Sequence, residues 1–138
     1  MNRVHAAPIL AALKGQGSPA MKVFDGSVDP KTLPPYVVVY FSATTPEATS
    51  FEDAYDRVEA TAIVHYVGSN AEACRLLADR GWDALIGRVP EIAGRMCGPI
   101  RLVDSQPPRR DESTGVLVVD QVDVYQYVSL PSVGVPTP

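Results

Sequence analysis

Leu33-Pro34-Pro35-Tyr36-Val37-Val38-Val39-Tyr40-Phe41 is the stretch that decides how this chain folds. Two prolines run straight into six β-branched or aromatic residues. Proline fixes φ and donates no ladder hydrogen bond, so it is tolerated at the mouth of a strand and rarely inside one. The run is too short to cross a membrane, and Val and Tyr lose rotamer freedom in a helix. It predicts a strand over about 36–42, buried on both faces, central in its sheet, with its entry held rigid by the prolines.

Upstream, residues 3–14 have a helical pattern, with Val4, Ala7, Leu10, Ala11 and Leu13 on or near one side. Pro8 conflicts with a start before about residue 4, where it should kink the helix or mark its true beginning. Val23-Phe24 followed by Asp25-Gly26 predicts a short strand and turn, and Asp29-Pro30-Lys31 a second turn. Downstream, residues 43–56 change to Thr, Ser and acidic residues and predict an exposed loop. Arg57 to Val67 returns to strand character, with Ala60, Ala62, Val64 and Tyr66 alternating with Thr61, Ile63, His65 and Val67. Gly68-Ser69-Asn70 stops that strand, and Ser69 with Glu72 fits a capping box for a helix over about 70–87. Gly81 weakens that helix by about 1 kcal/mol relative to Ala and predicts a close packing contact. Gly87 and Pro90 end it.

Two further strands are predicted at about 97–104 and 115–129. In the second, Val116, Val118, Val122, Val124 and Val128 oppose Tyr125 and Tyr127. Their connection, residues 105–114, is too long for a tight turn and should project as a hairpin. The fold class is therefore α+β: one small domain with a mixed, mainly antiparallel sheet of about five strands packed against two helices. Residues 1–130 make up the domain, and the proline-containing end, 131–138, is expected to be an extended tail.

At 138 residues, with 46% hydrophobic and 20% charged residues, the chain falls among ordinary globular proteins. A formal charge of −4 argues against a broad nucleic-acid face. There is neither a membrane-length apolar run nor a signal-peptide pattern, which predicts a soluble intracellular product. Cys74 and Cys97 are too few for a disulfide framework or zinc site and read as reduced, mostly buried thiols.

Chemistry is sparsely encoded. No Gly-x-Ser-x-Gly elbow, Walker motif or Gly-x-Gly-x-x-Gly follows any strand. His65, mid-strand among apolar neighbours, reads as a structural histidine without an implied orienting partner. Glu47, Glu52, Asp53 and Asp56 lack the spacing of a calcium loop and read as a solvated surface. Arg109-Arg110-Asp111-Glu112 at the hairpin tip is either a solvated turn or a finger whose mixed charges pair with a neighbouring subunit. These four residues, with Glu52 and Asp53, are the candidate subunit or partner interface. No catalytic, metal or cofactor site is expected.

The order of these pieces resembles a known family. A helix leads to Val23-Phe24-Asp25-Gly26, then Leu33-Pro34-Pro35-Tyr36-Val37-Val38-Val39, then Val64-His65-Tyr66-Val67-Gly68. The helix Ser69-Asn70-Ala71-Glu72-Ala73-Cys74-Arg75-Leu76-Leu77-Ala78-Asp79-Arg80 and two closing strands complete it. Over about residues 3–130 the chain resembles the tail terminator, or tail completion, proteins of long-tailed bacteriophages. The resemblance implies a hexameric ring on the head-proximal end of the tail tube, in the virion, made in the host cytoplasm. Such a ring stops tube polymerisation and meets the neck of the filled head, and it is not an enzyme. Its implied partners are further copies of itself, the major tail tube protein and the neck or head-closure protein. DNA would pass through without sequence-specific binding, and no membrane is involved. A net-negative chain suits such a channel, since each phosphate contact would have to be broken during transit. Two alternatives stand beside it: a head-closure or neck ring protein, and a small ligand-binding α/β domain or enzyme.

Overall fold

A computed structural model describes residues 2–15, 21–45, 57–112 and 117–132. Its elements run α1 (Asn2–Lys14), β1 (Val23–Asp25), β2 (Tyr36–Thr44), β3 (Val58–Gly68), α2 (Ala71–Leu85), β4 (Arg95–Cys97), β5 (Arg101–Ser105), β6 (Arg109–Asp111) and β7 (Val118–Pro131). The α+β class is as expected, with two helices against one mixed sheet. The sheet of about five strands is present, and short β4, β5 and β6 along β7 bring the strands among the described residues to seven.

The sheet is built around the long pair β3 and β7, which pair antiparallel from Val58↔Ser129 to Gly68↔Val119. On its other side β3 pairs antiparallel with β2, and β2 with the short parallel strand β1. The free side of β7 is shared along its length by β6 at 118–120, β5 at 123–126 and β4 at 129–131. β2 is thus second from the edge rather than central, and β1 covers it only at Val37, Val38 and Val39.

Burial on both faces of β2 is likewise confined to those three valines, because both helices lie on the same face of the sheet. Val37 and Val39 sit opposite Tyr66 and Val64 under the helices, whereas Tyr40 on the other face is 45% exposed. The covered face forms the core. Ile9, Leu13, Leu77 and Leu85 from the helices meet Ala60, Ala62, Val64, Tyr66, Tyr125 and Tyr127 from the sheet. Alanines at 60 and 62 leave room for a helix to approach, and Gly81 does the same from the helix side. A Cβ there would strike the hydroxyl and ring of Tyr66.

Three local expectations are corrected. α1 begins at Asn2 with Pro8 inside it. The carbonyl deprived of its donor belongs to Val4, which is exposed, so water can serve it while Ile9 and Leu13 stay buried. The N-cap of α2 is Asn70 rather than Ser69: its side chain accepts the Ala73 N–H at 2.8 Å. Asn caps as well as Ser, and the shift puts Glu72 in the first turn, where the helix dipole favours an acid. The described part of the expected hairpin, residues 105–112, does not project freely, since Arg109–Asp111 pair with Asp120, Val119 and Val118 and join the sheet; residues 113 and 114 lie outside the described residues. Gly87 at φ +81° follows the Ile86 C-cap as expected. The expected loop beyond Thr45 and the tail beyond Ser132 lie outside the described residues, although β2 itself continues to Thr44.

Candidate functional site

Three polar clusters and one surface are the candidates. The first joins α1, β4 and β7. Ser129 Oγ lies 2.6 Å from His5 Nε2 and accepts a hydrogen bond from Arg95 Nε at 2.8 Å. Arg95 also donates to the Ser129 carbonyl, and the Tyr127 hydroxyl donates to the His5 carbonyl. A serine on a histidine is the first pair of a hydrolytic triad. Here both side chains are fully buried, so no acyl group can reach the hydroxyl while the chain is folded. The cluster instead pins the first turn of α1 to the end of β7. Its members are 124 positions apart, and only the fold brings them together.

The second cluster surrounds Asp123, a fully buried carboxylate on the helix side of β7. Trp82 Nε1 donates to Oδ2 at 2.7 Å, while Ser105 Oγ and Gln121 Nε2 donate to Oδ1. A buried charge is tolerable only when its lone pairs are served, and here three donors from α2, β5 and β7 do so. Beside it the hydroxyls of Tyr66 and Tyr125 share a 2.7 Å hydrogen bond. Burial pushes Tyr66, Tyr125 and Tyr127 well above the ordinary tyrosine range, so all three stay protonated. Burial likewise raises Cys74, whose thiol donates to the Val119 carbonyl, and Cys97; both cysteines are free.

The third cluster opens on the helix-free face. His65 Nδ1 and Asp120 Oδ2 are 2.9 Å apart across β3 and β7, and the Tyr40 ring stands edge-on to the imidazole at 5.2 Å. No orienting partner for His65 is implied by its neighbours in sequence; the register sets Asp120 diagonally across from it on the same face. Nothing among the described residues bonds to its Nε2 as a nucleophile would, and no group of residues there could hold a metal ion. Tyr36, close by, is raised by burial and by the charges of Asp120 and Asp111. The cavities gather only single members of these clusters: Arg95 and Cys97 line one of about 700 Å³, together with Val89, Pro90, Ile92 and Met96. One of about 140 Å³ is lined by Val28, Lys31, Leu33, Tyr36 and Val118, and another of about 320 Å³ by Pro8, Ala11, Arg88, Pro90 and Glu91.

That leaves the surface. No helix among the described residues covers the second face of the sheet. Side chains there stand in rows set by the register: Tyr40–Ile63–Val124–Asp104, then Ser42–Thr61–Gln126–Arg101. Tyr40 and Ile63 are exposed, and the large apolar side chains of Leu130 and Met96 pair on the same face toward the end of β7. Of the predicted interface residues, Arg109, Arg110 and Glu112 are exposed at this margin of the sheet. Arg110 pairs with Glu112 at 3.1 Å, a contact within the finger itself, and Asp111 is half-buried. Glu52 and Asp53 lie outside the described residues.

This is an α+β domain with one sheet face covered by helices and the other free of them among the described residues, though Val38, Val67 and Val118 at one end of that second face are buried. No family model matches its sequence, and no curated protein matches it. In three dimensions it is similar to a chain of a solved structure described as "Virion of native gene transfer agent (GTA) particle". The TM-score is 0.63 at 14% sequence identity, covering 91% of this chain and 93% of that one. What the two share at that identity is the fold.

Proposed function

We propose that this chain is a virion structural protein, and specifically a tail terminator. In this role it caps the head-proximal end of a tail tube as a homohexameric ring, ends tube polymerisation and forms the joint to the neck. The observation that carries the reading is the fold shared with a virion chain over nearly the whole length of both proteins. The element order that resembles tail terminators supports it independently. So do the two buried polar clusters around Ser129 and Asp123, which hold helices to strands. A ring subunit needs surfaces unfinished in the monomer, and the bare sheet face and the Arg109–Glu112 finger are such surfaces.

Deleting the gene from the element that encodes it tests this. Electron microscopy should show tails of uncontrolled length and filled heads left unjoined. Tails of normal length on joined heads would sink the proposal. Tails of normal length beside unjoined heads would point to the head-closure role instead.

A further inference from the structure

The two margins of the sheet are finished differently. On one side β1 covers β2 only from Val37 to Val39, while β2 runs on beside β3 to Thr44. The Val37 N–H donates to the Lys22 carbonyl, and the Val39 carbonyl accepts from the Gly26 N–H. Odd-numbered residues of β2 therefore turn their backbone groups outward. By the same alternation Phe41 and Ala43 aim their N–H and C=O groups at this margin, where no strand among the described residues receives them. Tyr40–Thr44 holds no charge, no proline and no bulge, the devices by which proteins keep an open edge from pairing. Glu59, one strand in beside Thr44, is paired with Arg57 at 3.4 Å. The opposite margin carries all three devices. There β5 holds Arg101 and Asp104 with a register shift between Leu102 and Asp104, Pro107 and Pro108 follow, and β6 is Arg109-Arg110-Asp111.

We infer that β2 of one copy of this chain pairs antiparallel with β2 of a second copy along Tyr40–Thr44, joining the two sheets into one. The open edge lacks hydrogen-bond partners for its backbone, and an extended strand is the occupant that supplies them. Two features assign that strand to the same stretch of another copy. Tyr40–Thr44 is uncharged and suits a strand, and an antiparallel pair is its own complement, so each copy offers what the other lacks. The margin across the sheet meets it with a broken register and a row of charges, which makes head-to-tail pairing the poorer match. The register that uses every free residue pairs Phe41 with Ala43 of the second copy and sets Ser42 against its own twin on the twofold axis. Ser42 is then a non-hydrogen-bonded pair, the kind whose side chains stand closest. Such a contact is isologous and closes at two copies. It cannot by itself build a sixfold ring, so it goes beyond the ring reading and is independent of it. Its effect is to hide an edge that would otherwise template aggregation of the free chain.

The test places charge on the twofold axis. Ser42 is exposed, so Ser42→Lys and Ser42→Glu should both fold. Light scattering and sedimentation on the full chain should find the unmodified protein dimerising below about 1 mM. Each variant alone should dimerise about fivefold more weakly, because like charges directly opposite each other oppose pairing. An equimolar mixture of the two should recover a heterodimer at least as tight as the unmodified pair. Variants that dimerise like the unmodified chain would overturn the inference, as would a mixture that recovers nothing. So would an unmodified chain that stays monomeric up to about 1 mM. A larger assembly indifferent to both charges would overturn it too, while leaving the ring reading intact. Ala43→Pro repeats the test from the backbone. The Ala43 N–H points away from β3, so proline spares the β2–β3 ladder and removes only the bond offered to the second copy. With circular dichroism unchanged, dimerisation should fall about tenfold or more. A folded proline variant that dimerises as before would be equally fatal.

Discussion

The two faces of the sheet are made from the same strands and have opposite characters. Along β7, Asp123, Tyr125, Tyr127 and Ser129 are fully or almost fully buried, while Val122, Val124, Gln126 and Val128 between them are only half-buried. The covered face carries the unusual chemistry: tyrosines bonded to each other, a buried carboxylate and a serine held between histidine and arginine. The bare face carries ordinary valines, an isoleucine and a half-exposed histidine. The buried serine and histidine that resemble a catalytic pair fasten α1 to β7.

The largest expected effect comes from the covered face. Burial raises Tyr66, Tyr125 and Tyr127 above the ordinary tyrosine value of about 10, so the folded chain holds protons that the unfolded chain gives up. Stability from these groups is complete below pH 10 and falls as pH rises beyond it. Absorbance at the phenolate band should show these three tyrosines ionising only together with loss of circular dichroism. Their smooth titration in a still-folded chain would contradict the burial assigned to this face.

Gly81→Ala comes next. An alanine would gain about 1 kcal/mol of helix propensity. It would also put a methyl group into the Tyr66 phenol, which is fully buried and anchored to Tyr125. Overpacking should win, with a net loss of about 1–2 kcal/mol in urea unfolding. Tyr66→Phe in the same chain should restore part of that loss by removing the atom struck first. An alanine as stable as the parent would mean that α2 sits farther from the sheet.

The sequence makes this face legible because period-2 and period-3.6 patterns record which side of an element is buried. Alternation places Tyr125 and Tyr127 together, and Gly81 within an otherwise good helix signals a close approach. Other features are written only in pairing. Arg109-Arg110-Asp111 has no strand propensity and becomes β6 because the start of β7 needs a partner. Ser69 and Asn70 are both competent caps, and tertiary geometry chose the second. His65 and Asp120, 55 residues apart, meet once the register is known. Ser129 and His5 follow from where α1 lands, which no local pattern encodes. The bare face was hidden for a similar reason: Tyr36–Phe41 looks buried throughout, and only the placement of both helices on one side shows that Tyr40 is not.

The smallest expected effect sharpens the comparison most. Ile63→Thr keeps a β-branched side chain at a position that is 38% exposed and makes no contact with the helices' core cluster. Loss of apolar area is small there, and threonine suits a strand, so stability should change by no more than about 0.5 kcal/mol. The equivalent change at the next residue, Val64→Thr on the covered face, would strand a hydroxyl among apolar side chains and cost about 1–3 kcal/mol. Thermal melts of the two variants therefore measure the asymmetry of the sheet directly, on adjacent residues of one strand. If Ile63→Thr destabilised the isolated chain as much as Val64→Thr, the second face would already be covered within a single copy.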